Sequence, residues 1–350
     1  MTNDKSQMTD TMKCAMYYNN RDVRLEEIPV PKTEADELLV KMHACGICGS
    51  DVLEWYRLKK APIVLGHEMT GEIVKLGENI KRYKMGDRVF VSHHVPCNTC
   101  HYCLNGHHSV CDTLRKTNFD PGGFAEFIRV PRINVDWGVF LLPDEISYEE
   151  GTFIEPLACV LRGQKTAHIQ PGQTVFIIGG GIAGLLHLKL AKALGASSVV
   201  VTDIDKNRLV FAERFGATAA ILADDTIPVH LKEVNNGRLA DMVIVATGVI
   251  EAIHMAWKTV DRGGTVLIFA PTEAGIDIAL PLYDIWHDGI TITTSYAGSP
   301  LDINEAVELI RSKNIIVKDM ITHRFPLVRA GEGFSLVEKA QDSIKVIIEP

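Results

Sequence analysis

The pattern of apolar and polar positions along the chain changes near Ile154. Before that point, short apolar runs alternate with glycine, proline and charged residues, which predicts strands and turns and no long amphipathic helix. The runs that predict strands are DELLVKMHACG at 36–46, MTGEIVKLG at 69–77 and GDRVFVS at 86–92. An irregular loop rich in cysteine and histidine interrupts this β-rich region from Pro96 to about Cys111.

After Ile154, predicted strands and helices alternate. A helical pattern at 157–167 is followed by a strand at 174–178, a helix at 182–194, a strand at 197–202 and a helix at 205–216. Further strands are predicted in DMVIVATG, GTVLIFA and SIKVIIEP, and a further helix in INEAVELIRSK. Because the strands between 174 and 270 are rich in valine and isoleucine and alternate with helices, they predict an α/β fold with a doubly wound parallel sheet, whereas the final fifty residues return to a mixed pattern.

A length of 350 residues also favours two domains. The predicted boundaries are 12–160 with 296–350 for a β-rich domain and 161–295 for an inserted nucleotide-binding domain, after a disordered extension at 1–11. The net charge of −8 argues against nucleic acid as a partner, because phosphate binding requires clustered lysine and arginine. No secretory or membrane-spanning segment is predicted, so we expect no membrane association and a cytoplasmic location.

Four of the eight cysteines form a cluster with the spacing C-x2-C-x2-C-x7-C. Its members are Cys97, Cys100, Cys103 and Cys111. In a reducing compartment clustered cysteines more often bind metal than form disulfides, and four thiolates complete a tetrahedral, structural zinc site. Two alternatives remain open, an iron–sulfur cluster and four reduced cysteines without metal. The three histidines of this loop are expected at the surface, because four thiolates already suffice.

A glycine-rich turn separates the strand at 174–178 from the helix at 182–194. It fits G-x-G-x-x-G through Gly179, Gly181 and Gly184. In this context the motif predicts a dinucleotide site, since the glycines allow close approach of the pyrophosphate and the helix N-terminus stabilises the anion. Asp203, 19 residues after Gly184, is predicted to bind the adenosine ribose and to repel a 2′-phosphate. Its alternative role is a helix N-cap, for which Asp205 is better placed, and Arg208 is expected near the adenine.

Two further motifs contain metal-binding residue types, GICGSD at 46–51 and GHE at 66–68. By themselves they are ambiguous. Cys45 and Cys48 also fit a redox C-x-x-C pair, and His67 also fits a buried core histidine.

The order GICGSD, GHE, four-cysteine lobe, MGDRV, EPLACV and GGGIAG resembles that of the zinc-containing medium-chain dehydrogenases, which include alcohol, sorbitol and threonine dehydrogenases. The resemblance extends from about Lys13 to Pro350. It implies a GroES-like catalytic domain with a structural zinc lobe at 96–112, and a Rossmann domain. It also implies NAD as cofactor, one catalytic and one structural zinc ion per chain, and a homodimer or homotetramer.

The resemblance implies the ligands of a catalytic zinc ion. The cysteine of GIC and the histidine of GHE are ligands in the family, which selects Cys48 and His67. Asp51 matches an acid that supports the ligand histidine. The third ligand is a glutamate, either Glu68 or Glu155. One thiolate, one neutral imidazole and one carboxylate bring Zn²⁺ to net zero, so we expect one glutamate to bind the metal at a time.

Other residues receive roles from the same resemblance. Ser50 matches the hydroxyl that takes the proton of the alcohol. Liver-type relatives pass this proton to a histidine where this chain has Leu53, so the relay beyond Ser50 stays open between cofactor hydroxyls, water and a carboxylate. The predicted cofactor contacts also include Ile182, Ala183 and Thr247.

The expected substrate is a polar secondary alcohol such as a polyol, a cyclitol or an amino alcohol. The carboxylate-bearing metal site resembles the polyol and threonine branches of the family. The predicted pocket wall mixes hydrogen-bonding and stacking groups, which are Tyr56, Asn118, Phe119, Asp120, Ser295 and Tyr296. For Asn118 and Asp120, a surface loop is the alternative. Ser295 replaces an arginine of sorbitol-type relatives, which argues against sorbitol itself.

The motifs together predict an enzyme that transfers a hydride between such an alcohol and NAD. Two other classes were weighed. The nucleotide motif argues against a zinc lyase or hydrolase. The presence of Cys48, Ser50, His67 and Glu155 argues against a dinucleotide-sensing protein without catalysis.

Overall fold

The computed structural model describes residues 10–340 and 342–350. These residues form two compact units, the first made of 10–153, 323–339 and 345–350 and the second made of 154–322, 340 and 342–344. Most of the extension predicted at 1–11 lies outside the described residues, but Thr11 already begins a strand.

The strands and helices of the described residues follow one another as the alternating patterns predict. In chain order the strands are β1 (Thr11–Asn19), β2 (Asp22–Pro29), β3 (Leu38–Gly46), β4 (Ile63–Val64), β5 (Glu68–Leu76), β6 (Arg88–Val91), β7 (Phe127–Val130), β8 (Val139–Leu141), β9 (Thr174–Ile178), β10 (Ser198–Asp203), β11 (Ala219–Leu222), β12 (Ala240–Val245), β13 (Val260–Ile268), β14 (Thr291–Thr294), β15 (Ile321–Pro326) and β16 (Lys345–Glu349). The α-helices are α1 (Glu54–Arg57), α2 (His101–Leu104), α3 (Asp112–Lys116), α4 (Arg132–Trp137), α5 (Tyr148–Gly151), α6 (Ile154–Thr166), α7 (Ile182–Ala193), α8 (Lys206–Arg214), α9 (Ile227–Val234), α10 (Ile250–Thr259), α11 (Leu282–His287), α12 (Pro300–Arg311) and α13 (Ala330–Lys339). Short 3-10 turns lie at Gly49–Val52, Leu58–Lys60, His108–Val110, Lys318–Met320 and Leu327–Arg329.

The first unit contains two sheets. Their strand orders are β2-β1-β4 and β15-β16-β3-β5-β6-β8, and β7 pairs with β3. In the larger sheet β3 and β5 are antiparallel, with Gly46 opposite Glu68. This register places the segment that follows β3 beside the segment that precedes β5, which is where GICGSD meets GHE. The core beneath includes the rings of Tyr17, Phe124 and Phe334, all fully buried.

The second unit is a six-stranded parallel sheet with the order β11-β10-β9-β12-β13-β14. The order reverses between β9 and β12, and the crevice at the carboxyl ends of the strands at such a point is where open α/β sheets bind ligands. β9 is buried along its whole length, as its five apolar and β-branched residues predict. The predicted doubly wound sheet is therefore confirmed.

The unit boundaries differ from the predicted ones. The second unit begins at 154 and continues to 322, because α6 and α12 pack on each other and both belong to it. The hairpin β1–β2 was not predicted from the pattern. Within the described residues no helix is long and apolar enough to cross a membrane.

Candidate functional site

The four-cysteine loop brings its sulfur atoms into one cluster, in which all four Sγ atoms lie within 4.8 Å of one another. The Sγ–Sγ distance is 3.6 Å for Cys100–Cys103 and for Cys97–Cys111, and 4.0 Å for Cys97–Cys103. Sulfurs at about 2.3 Å from a tetrahedral zinc ion stand roughly 3.8 Å apart. The cluster therefore has the dimensions of a closed zinc site.

The electrostatics of the cluster also fit a cation. Hydrogen bonds from Thr99 lower the pKa of the Cys97 thiol, whereas burial and the neighbouring cysteines raise the pKa of Cys103. The four cysteines of the cluster are thiols and form no disulfide with one another. Four thiolates this close are therefore stable together when a cation neutralises them.

The candidate catalytic site begins in the turn after β3. Cys48 is the N-cap of the 3-10 turn Gly49–Val52, and its Sγ accepts the Ser50 N–H at 3.4 Å. In return the Asp51 carboxylate accepts the Cys48 N–H at 3.1 Å. This is a capping box made by cysteine and aspartate. The sequence CGSD thus places a sulfur, a hydroxyl and a buried carboxylate within one turn.

His67 lies directly before β5 and completes a group of candidate ligands. The ligand atoms of Cys48, His67 and Glu68 all lie within 4.8 Å of one another. His67 Nδ1 is 3.4 Å from Asp51 Oδ1, which leaves Nε2 for a metal ion. Burial opposes charge on His67, but Asp51 and Cys48 outweigh it and raise the pKa of His67 well above its ordinary value. The site therefore favours positive charge, as a zinc site requires.

Glu68 is held by a buried ion pair with Lys345. Their side chains are 2% and 1% exposed, and Lys345 Nζ also lies 3.5 Å from the Thr152 carbonyl oxygen and 5.0 Å from the centre of the Phe153 ring. Gly46 makes room for the pair, because a Cβ there would collide with both side chains. Glu68 is thus within ligand distance of Cys48 while its charge is already balanced.

Two histidines stand beside His67. The ring centres of His67 and His93 are 4.8 Å apart, and those of His93 and His94 are 3.8 Å apart. Burial, then neighbouring positive groups, holds the pKa of His93 well below its usual range and lowers that of His94 to about 4. His93 Nδ1 is buried without a hydrogen-bond partner. The buried Phe119 ring packs edge-on against His93, with the two ring centres 6.4 Å apart, and so limits the movement of the His93 ring.

Glu155, the other candidate for the third ligand, belongs to the second unit. It lies in the first turn of α6, where the Cys159 thiol donates to its Oε1 at 3.4 Å. Glu68 and Glu155 therefore come from different units, and the choice between them stays a prediction.

The glycine-rich turn after β9 has the geometry that a pyrophosphate requires. Gly179 has a φ of +105°, and a Cβ on Gly184 would collide with the Gly179 carbonyl. Gly181 is the N-cap of α7 and offers no side-chain cap. The first N–H groups of the helix are thus available to an anion, and Ile182 and Ala183 carry two of them. Thr247 lies beside this turn, with its Cβ 3.6 Å from the place a Gly179 Cβ would take.

Asp203 ends β10 beside the same turn. Its carboxylate accepts the Gly180 N–H at 2.6 Å and the Asp205 N–H at 2.9 Å. Arg208 Nη1 is 3.5 Å from Asp203 Oδ2, and Arg208 Nε is buried without a partner. Asp205 caps α8 by accepting the Asn207 N–H at 2.8 Å, so the N-cap role belongs to Asp205. These groups fit the ribose end of a dinucleotide.

The remaining predicted wall residues are less uniform. Asn118 accepts the N–H of the next residue at 2.9 Å, and Asp120 pairs with Arg129 at 3.2 Å, so both stabilise their own loop. In the second unit, Tyr296 is 50% exposed and the Ser295 hydroxyl is buried without a hydrogen-bond partner.

The sequence analysis did not predict four residues of the candidate site, which are Arg57, His93, His94 and Lys345. Arg57 donates to Ser50 and Asp51 and lies over the Tyr56 ring at 4.7 Å. The paired histidines follow β6 and precede the cysteine lobe, so their position was a signal that could have been used. Lys345 had no local signal, because its partner is 277 residues away.

Two family models match the chain. Residues 34–143 match the alcohol dehydrogenase GroES-like domain, and residues 183–312 match the zinc-binding dehydrogenase domain. The first match contains the candidate catalytic ligands of the first unit and the cysteine cluster, and the second contains most of the six-stranded sheet.

Known proteins resemble the chain over nearly its whole length. Sorbitol dehydrogenase of Bacillus subtilis is 31% identical over 97% of both chains, and a probable D-xylulose reductase A of Aspergillus fumigatus is 34% identical over 93% of both. The crystal structure of a putative zinc-binding dehydrogenase of Sinorhizobium meliloti bound to NADP has a TM-score of 0.87 to this chain at 29% identity. It covers 98% of this chain and 100% of its own.

The fold and the two ligand sets define a zinc- and nicotinamide-dependent oxidoreductase of CH–OH groups. The chain belongs to the zinc-containing medium-chain dehydrogenases, within the alcohol dehydrogenase superfamily. This confirms the family, the fold class and the cofactors that the sequence predicted.

Proposed function

We propose that the chain oxidises a polar secondary alcohol to a ketone while reducing NAD to NADH, with a polyol, a cyclitol or an amino alcohol as substrate. The observation that carries the proposal is the group formed by Cys48, His67 and Glu68, with the Ser50 hydroxyl in the same turn. Relatives named sorbitol dehydrogenase and D-xylulose reductase support a polyol-like substrate.

The residues of the first unit prepare the reacting hydroxyl. Cys48 and His67 would hold the catalytic zinc ion with Glu68 as the third ligand, and Glu155 is the alternative that the family resemblance implies. Asp51 accepts from His67 Nδ1 and so fixes the tautomer that presents Nε2. When bound, zinc supplies Lewis-acid activation of the alcohol, and nicotinamide supplies the hydride acceptor.

Other residues accept the substrate proton and bind the cofactor. Ser50 Oγ takes the proton of the substrate hydroxyl as its own proton passes to water. The glycine turn around Gly179 would hold the pyrophosphate, and Asp203 would hold the adenosine ribose. In the net reaction the alcohol would lose a hydride, which the bound nicotinamide would accept, and a proton, which would pass to solvent.

The histidine pair is the polar wall of the substrate pocket. His93 and His94 are neutral at physiological pH and can each donate one hydrogen bond and accept another. Such groups bind the further hydroxyl or amino groups of a polyol or amino alcohol. A site built for these bonds rejects alcohols that lack them, because its own buried polar groups are then left unpaired.

The test is NADH formation by the zinc-loaded protein with ethanol, hexanol, sorbitol, threonine, myo-inositol and aminocyclitols. We expect the highest kcat/KM for a polar member. His94→Leu should reduce kcat/KM for that substrate by about 10- to 100-fold and change hexanol little. His107→Leu, at an exposed histidine of the cysteine lobe, is the control. Higher kcat/KM for ethanol or hexanol than for every polar alcohol would refute the substrate class, and no NADH with any alcohol would refute the dehydrogenase.

NAD is the preferred dinucleotide. In support, the Asp203 carboxylate stands at the end of β10, where a 2′-phosphate would meet its negative charge. Arg208 is an arginine of the kind that accommodates a 2′-phosphate, but its charge is already paired with Asp203. The relevant measurement is the ratio of kcat/KM for NAD and NADP.

The chain assembles into a homodimer, or into a homotetramer of such dimers, through the edge of the six-stranded sheet. In support, β14 pairs with β13 alone within the described residues, and α11 exposes three large apolar side chains: Leu282, Tyr283 and Trp286. An open strand edge with apolar neighbours suits pairing with a second copy. Light scattering should give two or four times 38.6 kDa, and Trp286→Lys should lower that mass.

The proposed location is the cytoplasm. Its support is chemical, because the four thiols of the cysteine cluster and the Cys48 thiol stay reduced and able to bind metal in a reducing compartment. Fractionation of cells that express the tagged chain tests this.

A further inference from the structure

Arg57 connects two residues of the candidate catalytic turn. It is the last residue of α1, and its side chain is 14% exposed. Nη2 donates to Ser50 Oγ at 3.0 Å and to Asp51 Oδ1 at 3.1 Å, while Nε donates to the Ser50 carbonyl oxygen at 2.9 Å. Both the backbone and the side chain of Ser50 are therefore fixed by one group.

These contacts decide the direction of the hydrogen bonds at Ser50. A guanidinium has only donors and stays charged, so Arg57 cannot take a proton from the hydroxyl. A serine hydroxyl has one O–H and two lone pairs, and Arg57 occupies one lone pair. The O–H must point elsewhere, and the other lone pair is left to accept a proton from a substrate.

The same nitrogen also reaches the histidine ligand through Asp51. Asp51 Oδ1 accepts from Arg57 and lies 3.4 Å from His67 Nδ1. Burial alone would raise the pKa of Asp51, but His67 and Arg57 hold it below its usual value. The carboxylate that orients His67 and the hydroxyl that handles the proton thus share one cationic partner.

The residue at position 53 gives the contact between Arg57 and Ser50 a role in proton transfer. Leu53 stands where liver-type relatives have a histidine to which the proton is passed, and a leucine can neither accept a proton nor stabilise charge. Without a base at this position, a cation that contacts Ser50 Oγ directly is well placed to stabilise the negative charge that develops there during the transfer. Arg57 is a positive group in hydrogen-bond contact with that oxygen.

We propose that Arg57 is the positioning residue of proton transfer at Ser50, because it orients the hydroxyl and stabilises negative charge on Oγ. The substrate proton moves to Ser50 Oγ and the Ser50 proton leaves to water, while Arg57 keeps all of its own protons. The inference rests on the proposed dehydrogenase function.

The test compares Arg57→Ala, Arg57→Lys and wild type as zinc-loaded proteins with NAD and the best alcohol of the panel. We expect Arg57→Ala to lower kcat on the order of 10- to 100-fold with little change in KM, because the lost interaction acts on developing charge. Added guanidinium chloride at millimolar concentration should restore part of this loss, and should restore nothing in Arg57→Ala/Ser50→Ala. Arg57→Lys keeps the positive charge but lacks the paired donors of the guanidinium, so its kcat should lie between those of Arg57→Ala and wild type.

Three measurements separate this role from a structural one. Zinc content and the fluorescence of bound NADH should be unchanged in Arg57→Ala, whereas the acidic limb of its kcat–pH profile should move to higher pH. Arg24→Ala is the matched control, since Arg24 also lies 4.7 Å from a tyrosine ring centre, that of Tyr18, and pairs with an aspartate. It should leave kcat and the pH profile unchanged.

The outcomes distinguish the two proposals. An inactive wild type would overturn the dehydrogenase function and this inference with it. If wild type is active and Arg57→Ala has the same kcat, the inference alone is overturned. The same holds if Arg57→Ala loses activity that guanidinium does not restore and loses zinc in the same proportion. If Arg57→Ala does not fold, Arg57→Lys decides, because a wild-type kcat and pH profile in that variant would exclude a role for the forked contact.

Discussion

The ion pair of Glu68 and Lys345 gives the most quantitative prediction for this chain. In Lys345→Met a side chain of similar length remains, but Glu68 loses its cation in a place where both groups are at most 2% exposed. Removing one partner of a buried pair costs about 3–5 kcal/mol, because the remaining charge is uncompensated. We expect a loss of this size in the free energy of unfolding of the zinc-free first unit.

Zinc should reduce the loss. The Glu68 carboxylate is within ligand distance of Cys48 and His67, so a bound cation replaces part of what Lys345 supplied. The same substitution should therefore cost less stability in the zinc-loaded protein than in the chelated one. It should also raise the affinity for zinc, since binding and folding are linked.

The assay is urea unfolding followed by tryptophan fluorescence, with and without a chelator. Two of the four tryptophans, Trp55 and Trp137, lie in the first unit, so replacement of Trp257 and Trp286 by phenylalanine makes the signal specific for it. The double variant Lys345→Met/Glu68→Gln should be at least about 2 kcal/mol more stable to unfolding than Lys345→Met, since neither buried charge remains. A cost below about 1 kcal/mol for Lys345→Met in the chelated protein, the value of an exposed pair, would refute the reasoning.

The other predictions concern the two zinc ions, the cofactor and the third ligand. Cys100→Ser should lower both zinc content and the melting temperature, whereas Cys48→Ala should abolish NADH formation and leave circular dichroism unchanged, since a closed site contributes more to folding than an open one. Zinc analysis of fresh protein that finds fewer than two ions per chain contradicts this. Asp203→Ala should lower the ratio of kcat/KM with NAD to kcat/KM with NADP, chiefly because KM for NAD rises. A wild-type enzyme with a higher kcat/KM for NADP than for NAD contradicts the ribose assignment. Glu155→Gln should lower kcat on the order of 100-fold, and near-normal kcat would make Glu68 the third ligand.

The local features of the fold were predictable because the residues that decide them are neighbours in sequence. The alternation of β9, α7 and β10 follows from hydrophobic periodicity, and the glycine turn between them is needed by backbone geometry alone. The cysteine cluster is equally local, since its four sulfurs come from 15 consecutive residues.

What the sequence did not predict depends on contacts between distant segments. Nothing near Lys345 indicates that its ammonium is buried, because Glu68 and Gly46 become its neighbours only when β16 lies beside β3. The histidine wall is similar, since the ring of His93 meets His67 through the pairing of β5 with β6. The second compact unit extends to 322, beyond the 295 expected from the sequence, because α12 packs on α6, a contact that periodicity does not encode.

The pairing of β16 with β3 also sets the order in which the chain becomes complete during synthesis. Ile347 pairs with Gly46, and Lys345 is made 299 positions after Gly46. At about 5–20 residues per second, roughly 15–60 s pass between the two on the ribosome. Throughout that interval the carboxyl end of β3, at Cys45 and Gly46, lacks its partner strand and Glu68 has no ammonium partner, although β7 already pairs with Leu38–Lys41 and the second unit is already emerging. A nascent chain with such an edge is prone to pair with other chains, so correct folding in the cell requires that it be kept apart until β16 arrives.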